Sequence, residues 1–144
     1  MPWLIKGGGL QQDPWQICND DCVDYPPGLI LISREHWSKQ LSLINRPKTG
    51  LILRGDDAQH IDELMIHAVD LIALEFVGFK DGRPYSLARI LRHQYAYTGE
   101  LSAIGDVHVD QLPLMARCGM DSYHLRDDQD SHLALKILSG DTLR

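Results

Sequence analysis

Apolar residues along the chain fall into short Ile- and Leu-rich runs, each followed by a stretch in which they recur at helical spacing. Leu29-Ile30-Leu31-Ile32, Gly50-Leu51-Ile52-Leu53, Leu71-Ile72-Ala73-Leu74-Glu75-Phe76, Leu101-Ser102-Ala103-Ile104 and Ser122-Tyr123-His124-Leu125 read as strands. The first is followed by a helical stretch over about 35–44 with Trp37, Leu41 and Ile44 on one face, and the second by Asp56-Asp57 and a face of Ile61, Leu64, Met65 and Ala68. Further helices are predicted over about 86–94, 111–118 and 131–138. Strand-then-helix units in succession predict an α/β fold with a parallel sheet. The first arrangement to expect is a three-layer, doubly wound (Rossmann-like) sheet, and the alternative is a partial (β/α) barrel-like one. Residues 1–28 differ: Gly7-Gly8-Gly9, Asp13-Pro14, Asn19-Asp20-Asp21 and Pro26-Pro27-Gly28 punctuate them. Trp3-Leu4-Ile5 and Trp15-Gln16-Ile17 suggest a β-hairpin there, an N-terminal appendage to one α/β domain over 29–144.

Local chemistry predicts the boundaries. Asp56 or Asp57, Ser86, Asp110 and Asp130 suit helix N-caps, because a short side-chain oxygen accepts from backbone N–H groups that the first turn leaves unpaired. With Asp110 as cap, Pro113 falls in a first turn, where its missing N–H costs nothing. Gly119 suits a left-handed helix end.

Composition narrows the function. The 144 residues are 44% hydrophobic and 24% charged, ordinary for a globular domain and too few for a complete (β/α)₈ barrel. Fourteen Lys and Arg against twenty Asp and Glu give a net charge of −6, and the basic residues are scattered. That disfavours nucleic acid and anionic membrane as partners. The odd cysteine set, Cys18, Cys22 and Cys118, fits a reducing compartment, and the start lacks a signal-peptide core, so a cytoplasmic location is expected. Neither the cysteines nor the seven histidines stand at metal-site spacing. No Walker loop, G-x-S-x-G elbow or H-E-x-x-H occurs, so the motifs leave any cofactor unknown.

In open parallel sheets, ligands sit beyond the carboxyl ends of the strands. Past those ends lie Arg54-Gly55-Asp56, Glu75 to Ser86, Gly105-Asp106 and Arg126-Asp127. The loop after the third strand holds Gly82 as a turn residue and Arg83, Tyr85, Ser86 and Arg89 as donors at the start of a helix, where unpaired N–H groups favour an anion. The next loop combines Gly105 and Asp106 with Asp110 and Gln111, and Asp106 is expected either to orient a ligand group or to accept from Arg83 or Arg89 of the neighbouring loop. Asp81 and Asp106 are the weak candidates for acid–base chemistry. Each has a plain structural alternative: Arg89 and Arg92 form the solvated face opposite Leu87, Ile90 and Leu91, and Asp106 and Asp110 act as turn and cap residues.

The segments Ala73-Leu74-Glu75-Phe76, Phe79-x-Asp81-Gly82-Arg83-x-Tyr85-Ser86-x-Ala88-Arg89, Gly105-Asp106-Val107-x-x-Asp110-Gln111-Leu112 and Arg117-Cys118-Gly119-Met120-Asp121 resemble a bacterial family of unknown function whose members are linked to assimilatory sulfite reduction and labelled oxidoreductases. The resemblance spans about 29–138 and implies a role in sulfur assimilation, without supplying a cofactor, substrate or catalytic residue. Pro113 departs from it, standing where members commonly carry an aromatic residue. Three functions arise as expectations. One is an accessory of sulfite reduction that binds a small oxyanion or sulfite reductase through the third and fourth βα loops. Another is a small enzyme or anionic-ligand binder using the same cleft, and the last is a self-associating structural module. Whether the chain is an enzyme, and its oligomeric state, stay open at this level.

Overall fold

The computed structural model describes residues 3–18, 28–39, 49–78 and 82–139. Strands β1 (Trp3–Lys6), β2 (Gly9–Gln12) and β3 (Gln16–Ile17) precede β4 (Ile30–Ser33) and α1 (Arg34–Lys39). Next come β5 (Thr49–Leu53), a 3₁₀ turn (Gly55–His60) and α2 (Glu63–His67), then β6 (Leu71–Phe76) and α3 (Arg83–Arg89). β7 (Glu100–Gly105), α4 (Leu112–Arg117), β8 (Ser122–Leu125) and α5 (Ser131–Ser139) complete the fold.

All eight strands form one sheet in the order β2-β1-β8-β7-β6-β5-β4-β3. β4 to β8 lie side by side in sequence order and parallel. A doubly wound sheet needs a reversal of strand order, which sends helices to both faces; this order has none, and right-handed crossovers then put every helix on the same side. Packing agrees. Alternate strand residues (Ile30, Leu51, Ile72, Leu101, Tyr123) share a core with Trp37 of α1, Ile66 of α2, Leu87 of α3, Met115 of α4 and Ala134 of α5. The opposite face carries Leu31, Ile52, Leu71, Ala73 and Ile104, and what packs on it among the described residues is Trp15 rather than a helix. The sheet curls into a half-barrel, so the barrel-like alternative describes the chain and the Rossmann-like layout does not.

The N-terminal residues join this sheet at both ends. The expected hairpin forms, but its second strand is β2 rather than 15–17: Trp3 pairs with Gln12 and Lys6 with Gly9 across a Gly7-Gly8 turn. β1 pairs antiparallel with β8, while β3 pairs parallel with β4 at the far edge.

Some boundaries obey the expected chemistry. Asp130 caps α5, its Oδ1 accepting from His132 N at 3.0 Å and Leu133 N at 3.1 Å. Pro113 sits in the first turn of α4, and Gly119 succeeds that helix at φ 103°. Others differ. The stretch after β5 splits into the 3₁₀ turn and a short α2 capped by Asp62, whose Oδ1 accepts from Leu64 N at 3.0 Å. α3 begins at Arg83, so Ser86 lies inside it rather than at its cap. Asp110 lies within a 3₁₀ turn that leads into α4 and does not cap that helix. The predicted residues Leu41 and Ile44 of the first helix lie outside the described residues.

The largest departure is in the helix after β6. Beyond Arg89 it continues as a π-turn over Ile90–Gln94, closed by Tyr95 N donating to Ile90 O at 3.2 Å. An i→i+5 turn holds one residue more than an α-turn and so shifts its side chains away from the 100° count. Arg92 therefore turns inward rather than joining Arg89 on a solvated face. Its Nη1 donates to Tyr97 O and Gly99 O, both at 2.8 Å. Nε and Nη2 donate to Gly119 O at 3.1 and 2.9 Å, and Nη2 also to Asp121 Oδ2 at 2.6 Å. One guanidinium thus ties the end of α4 to the segment entering β7, on the amino side of the sheet.

Candidate functional site

The carboxyl ends of β4 to β8 form one rim, and basic residues line it in sequence order. Arg34 comes directly after β4, Arg54 after β5 and Arg126 after β8. Each is matched to a carboxylate. Arg34 Nε donates to Asp57 Oδ1 at 3.0 Å, and the other oxygen of Asp57 accepts from Arg54 N at 2.8 Å. Arg54 Nε donates to Glu75 Oε1 at 2.7 Å, and that bond raises the arginine's pKa above its ordinary value. Arg83 lies across the start of the 3₁₀ turn: a Cβ on Gly55 would stand 2.6 Å from Arg83 Cβ and Nε. Arg83 of α3 is thus brought to the end of β5.

On the other half of the rim the chain turns sharply at Gly105, at φ 86°, where Asp106 N donates to Phe76 O at 2.7 Å. This turn aims the Asp106 carboxylate at Arg126 and His108; Arg126 Nη1 donates to Asp106 Oδ1, and His108 Nε2 lies 3.0 Å from the same oxygen. Partial burial alone would raise the pKa of Asp106, but the hydrogen bonds from Arg126 and His108 outweigh it and hold the pKa below its ordinary value of 3.8. Asp106 is therefore a fixed anion that orients Arg126, which suits it poorly to donate a proton. The expectation that it accepts from Arg83 or Arg89 gives way to these two partners. A folded-state pKa below the unfolded one adds stability that is complete above the unfolded pKa and is lost as pH falls through the folded value. Asp106→Asn should thus lower stability at neutral pH and make no difference near pH 2, as chemical denaturation at the two pH values would register.

The remaining expected residues separate. Ser86 and Arg89 are exposed on α3. The ring of Tyr85 packs edge-on against Phe76, centroids 5.1 Å apart, with its hydroxyl buried and without a hydrogen-bond partner. Burial pushes the Tyr85 pKa up, helped by Cys118 and Asp110. It belongs to the core between α3 and the sheet more than to an anion site. Asp110 is exposed and Gln111 half-buried. Gly82 immediately precedes α3. Asp81 and Cys22 lie outside the described residues, whereas Cys18 and Cys118 are buried.

Between the loops after β6 and β7 lies an open cleft of about 460 Å³, lined by Phe76, Val77, Gly105, Asp106 and Arg126. Arg126 is 42% exposed and uses Nη1 for Asp106 and Nη2 for Asp128, the latter at 3.0 Å. A guanidinium carries five N–H donors, so the fork retains hydrogens for a ligand. Arg126 is the site residue that the strand-end rule reached but the motif reading passed over, since nothing local distinguishes it. No group of three or more His, Cys, Asp or Glu able to hold a metal occurs among the described residues, and no helix among them is long and apolar enough to cross a membrane.

A family model described as "Bacterial protein of unknown function (DUF934)" matches residues 50–141, which include the strands and loops of this rim from β5 onward. No curated protein and no solved structure matches the chain.

Proposed function

The chain belongs to this bacterial family of unknown function, and from that premise we propose that it binds a small oxyanion at the carboxyl rim, as an accessory to sulfite reduction rather than as a catalyst. The observation that carries the reading is Arg126, half exposed at the mouth of the cleft between the third and fourth βα loops and held in place by Asp106. Arg83, set against Gly55 just after β5, adds positive charge to the same rim. An anion reaching Arg126 meets a planar fork suited to two oxygens at once. Binding is favoured over catalysis because Asp57, Glu75 and Asp106 are each engaged by an arginine. The resemblance to proteins linked with sulfite reduction makes sulfite and sulfate the first anions to try.

The test is a thermal-shift titration with sulfite, sulfate and phosphate at constant ionic strength, on the wild type, Arg126→Ala and Arg83→Ala. An anion at about 100 times its Kd adds about 2.7 kcal/mol of stability. Sulfite or sulfate should raise the wild-type Tm, with the shift abolished in Arg126→Ala and reduced in Arg83→Ala. Equal shifts in all three proteins, or none in the wild type, would remove the proposal. Loss of growth on sulfate when the gene is deleted, with growth on cysteine retained, is the cellular result expected.

A further inference from the structure

The concave face holds a second cleft, of about 320 Å³, which meets the first at Gly105 and Arg126 and extends away from it. Its walls include Trp15, Leu31 and Ile104, and its polar groups are Asp13, His124 and, at one end, Arg126. His124 comes from β8 and Asp13 from the segment between β2 and β3, and their side chains are only 9% and 8% exposed.

Asp13 has both oxygens committed: Oδ1 accepts from Trp15 N at 3.0 Å, and Oδ2 pairs with His124 Nδ1. A carboxylate only accepts, so Nδ1 carries the hydrogen, and in the neutral ring Nε2 is left as a lone-pair acceptor. That atom is buried and has no hydrogen-bond partner. A buried acceptor without a donor is costly to maintain, and a ligand that brings the donor recovers the loss.

We propose that this cleft binds a small, uncharged, mainly apolar molecule bearing one O–H or N–H group, which it donates to His124 Nε2, with Asp13 as the positioning residue that sets the imidazole tautomer. Apolar walls around one well-oriented polar atom are the usual make-up of a small-molecule site. Charge argues for a neutral ligand, because the lining sets one carboxylate, Asp13, against one guanidinium, Arg126. Nε2 is out of contact with solvent, so a donor that reaches it makes its hydrogen bond in the absence of water.

The tautomer makes the proposal testable. Phenol, anisole and toluene have similar shapes and differ in hydrogen bonding: phenol donates, anisole only accepts, and toluene does neither. NMR titrations of the full chain labelled with ¹⁵N, in which the imidazole ¹⁵N shifts themselves identify the neutral ring with its hydrogen on Nδ1, should show phenol binding about 10-fold or more tighter than the other two and shifting the His124 Nε2 resonance. Asp13→Asn keeps an oxygen for Trp15 N and turns an N–H toward Nδ1, which moves the ring hydrogen to Nε2. The ¹⁵N shifts should report the exchanged tautomer, and the preference should pass from phenol to anisole. Should Asp13→Asn not fold, His124→Phe serves instead, and it should still bind toluene while losing the advantage of phenol. Arg83→Ala, which reduces the oxyanion response and stands outside the lining of this cleft, should leave the phenol preference unchanged, and His124→Phe should leave the oxyanion response unchanged, so the two readings fail separately. The proposal is overturned if phenol and toluene bind the wild type equally, if neither binds, or if phenol stays preferred after the tautomer has reversed.

Discussion

Replacing Arg92 with methionine should lower the stability of the fold by about 3–5 kcal/mol. The side chain donates to the carbonyls of Tyr97, Gly99 and Gly119 and to the carboxylate of Asp121. Asp121 also accepts from Leu101 N at 3.0 Å, so the clamp reaches the first residues of β7. Methionine fills much of the same volume but leaves three carbonyls without their donor. The urea midpoint should fall with an unchanged m-value, and Tm should drop by roughly 10 °C. Lysine should recover only part of the loss, because an ammonium on a single stem cannot reach both groups of acceptors. Arg89→Ala, three residues earlier and exposed, should change stability by no more than about 0.5 kcal/mol. A loss below about 1 kcal/mol for Arg92→Met would show that the clamp is replaceable by water.

The second large effect should come from Gly105→Ala. Gly105 has a φ of 86°, and a Cβ there would lie 2.5 Å from Phe76 O, part of the neighbouring strand's backbone. The left-handed conformation costs roughly 1–2 kcal/mol for a residue with a Cβ, and the clash adds to it because a strand carbonyl in mid-sheet has little room to move. A total near 3 kcal/mol is expected. The functional consequence is separate. Shifting this turn displaces Asp106, which orients Arg126 at the cleft, so any oxyanion-dependent rise in Tm should shrink even at temperatures where the variant is folded. An Asp106–Arg126 pair unchanged in NMR, together with a full anion response, would mean that the turn does not position the site.

The positions of the parallel strands were legible because each is an apolar run buried on both faces, which no other local structure explains as well. The candidate site was only half legible. Strand-end reasoning reached Arg54, Arg83, Asp106 and Arg126, since the carboxyl end of a parallel strand is a place on the chain as well as in space. It paired them wrongly, joining Asp106 to arginines of α3 when the partner stands after β8. Tyr85, read as a ligand donor, turned out to pack on Phe76. The inward turn of Arg92 was invisible, because one extra residue in a helical turn leaves no mark on composition.

The sequence alone determined the alternation of strands and helices, the caps at Asp130 and Gly119, and the loops from which a site could be built, all set by interactions within a few residues. The tertiary structure decided the rest. Strand order, and with it the half-barrel whose concave face no helix among the described residues covers, depends on contacts between distant segments. The pairing of Asp13 with His124 across 111 residues is the clearest case. Neither residue lies in a motif, and only the closure of β1 onto β8 and of β3 onto β4 brings an acid from the start of the chain beside an imidazole near its end.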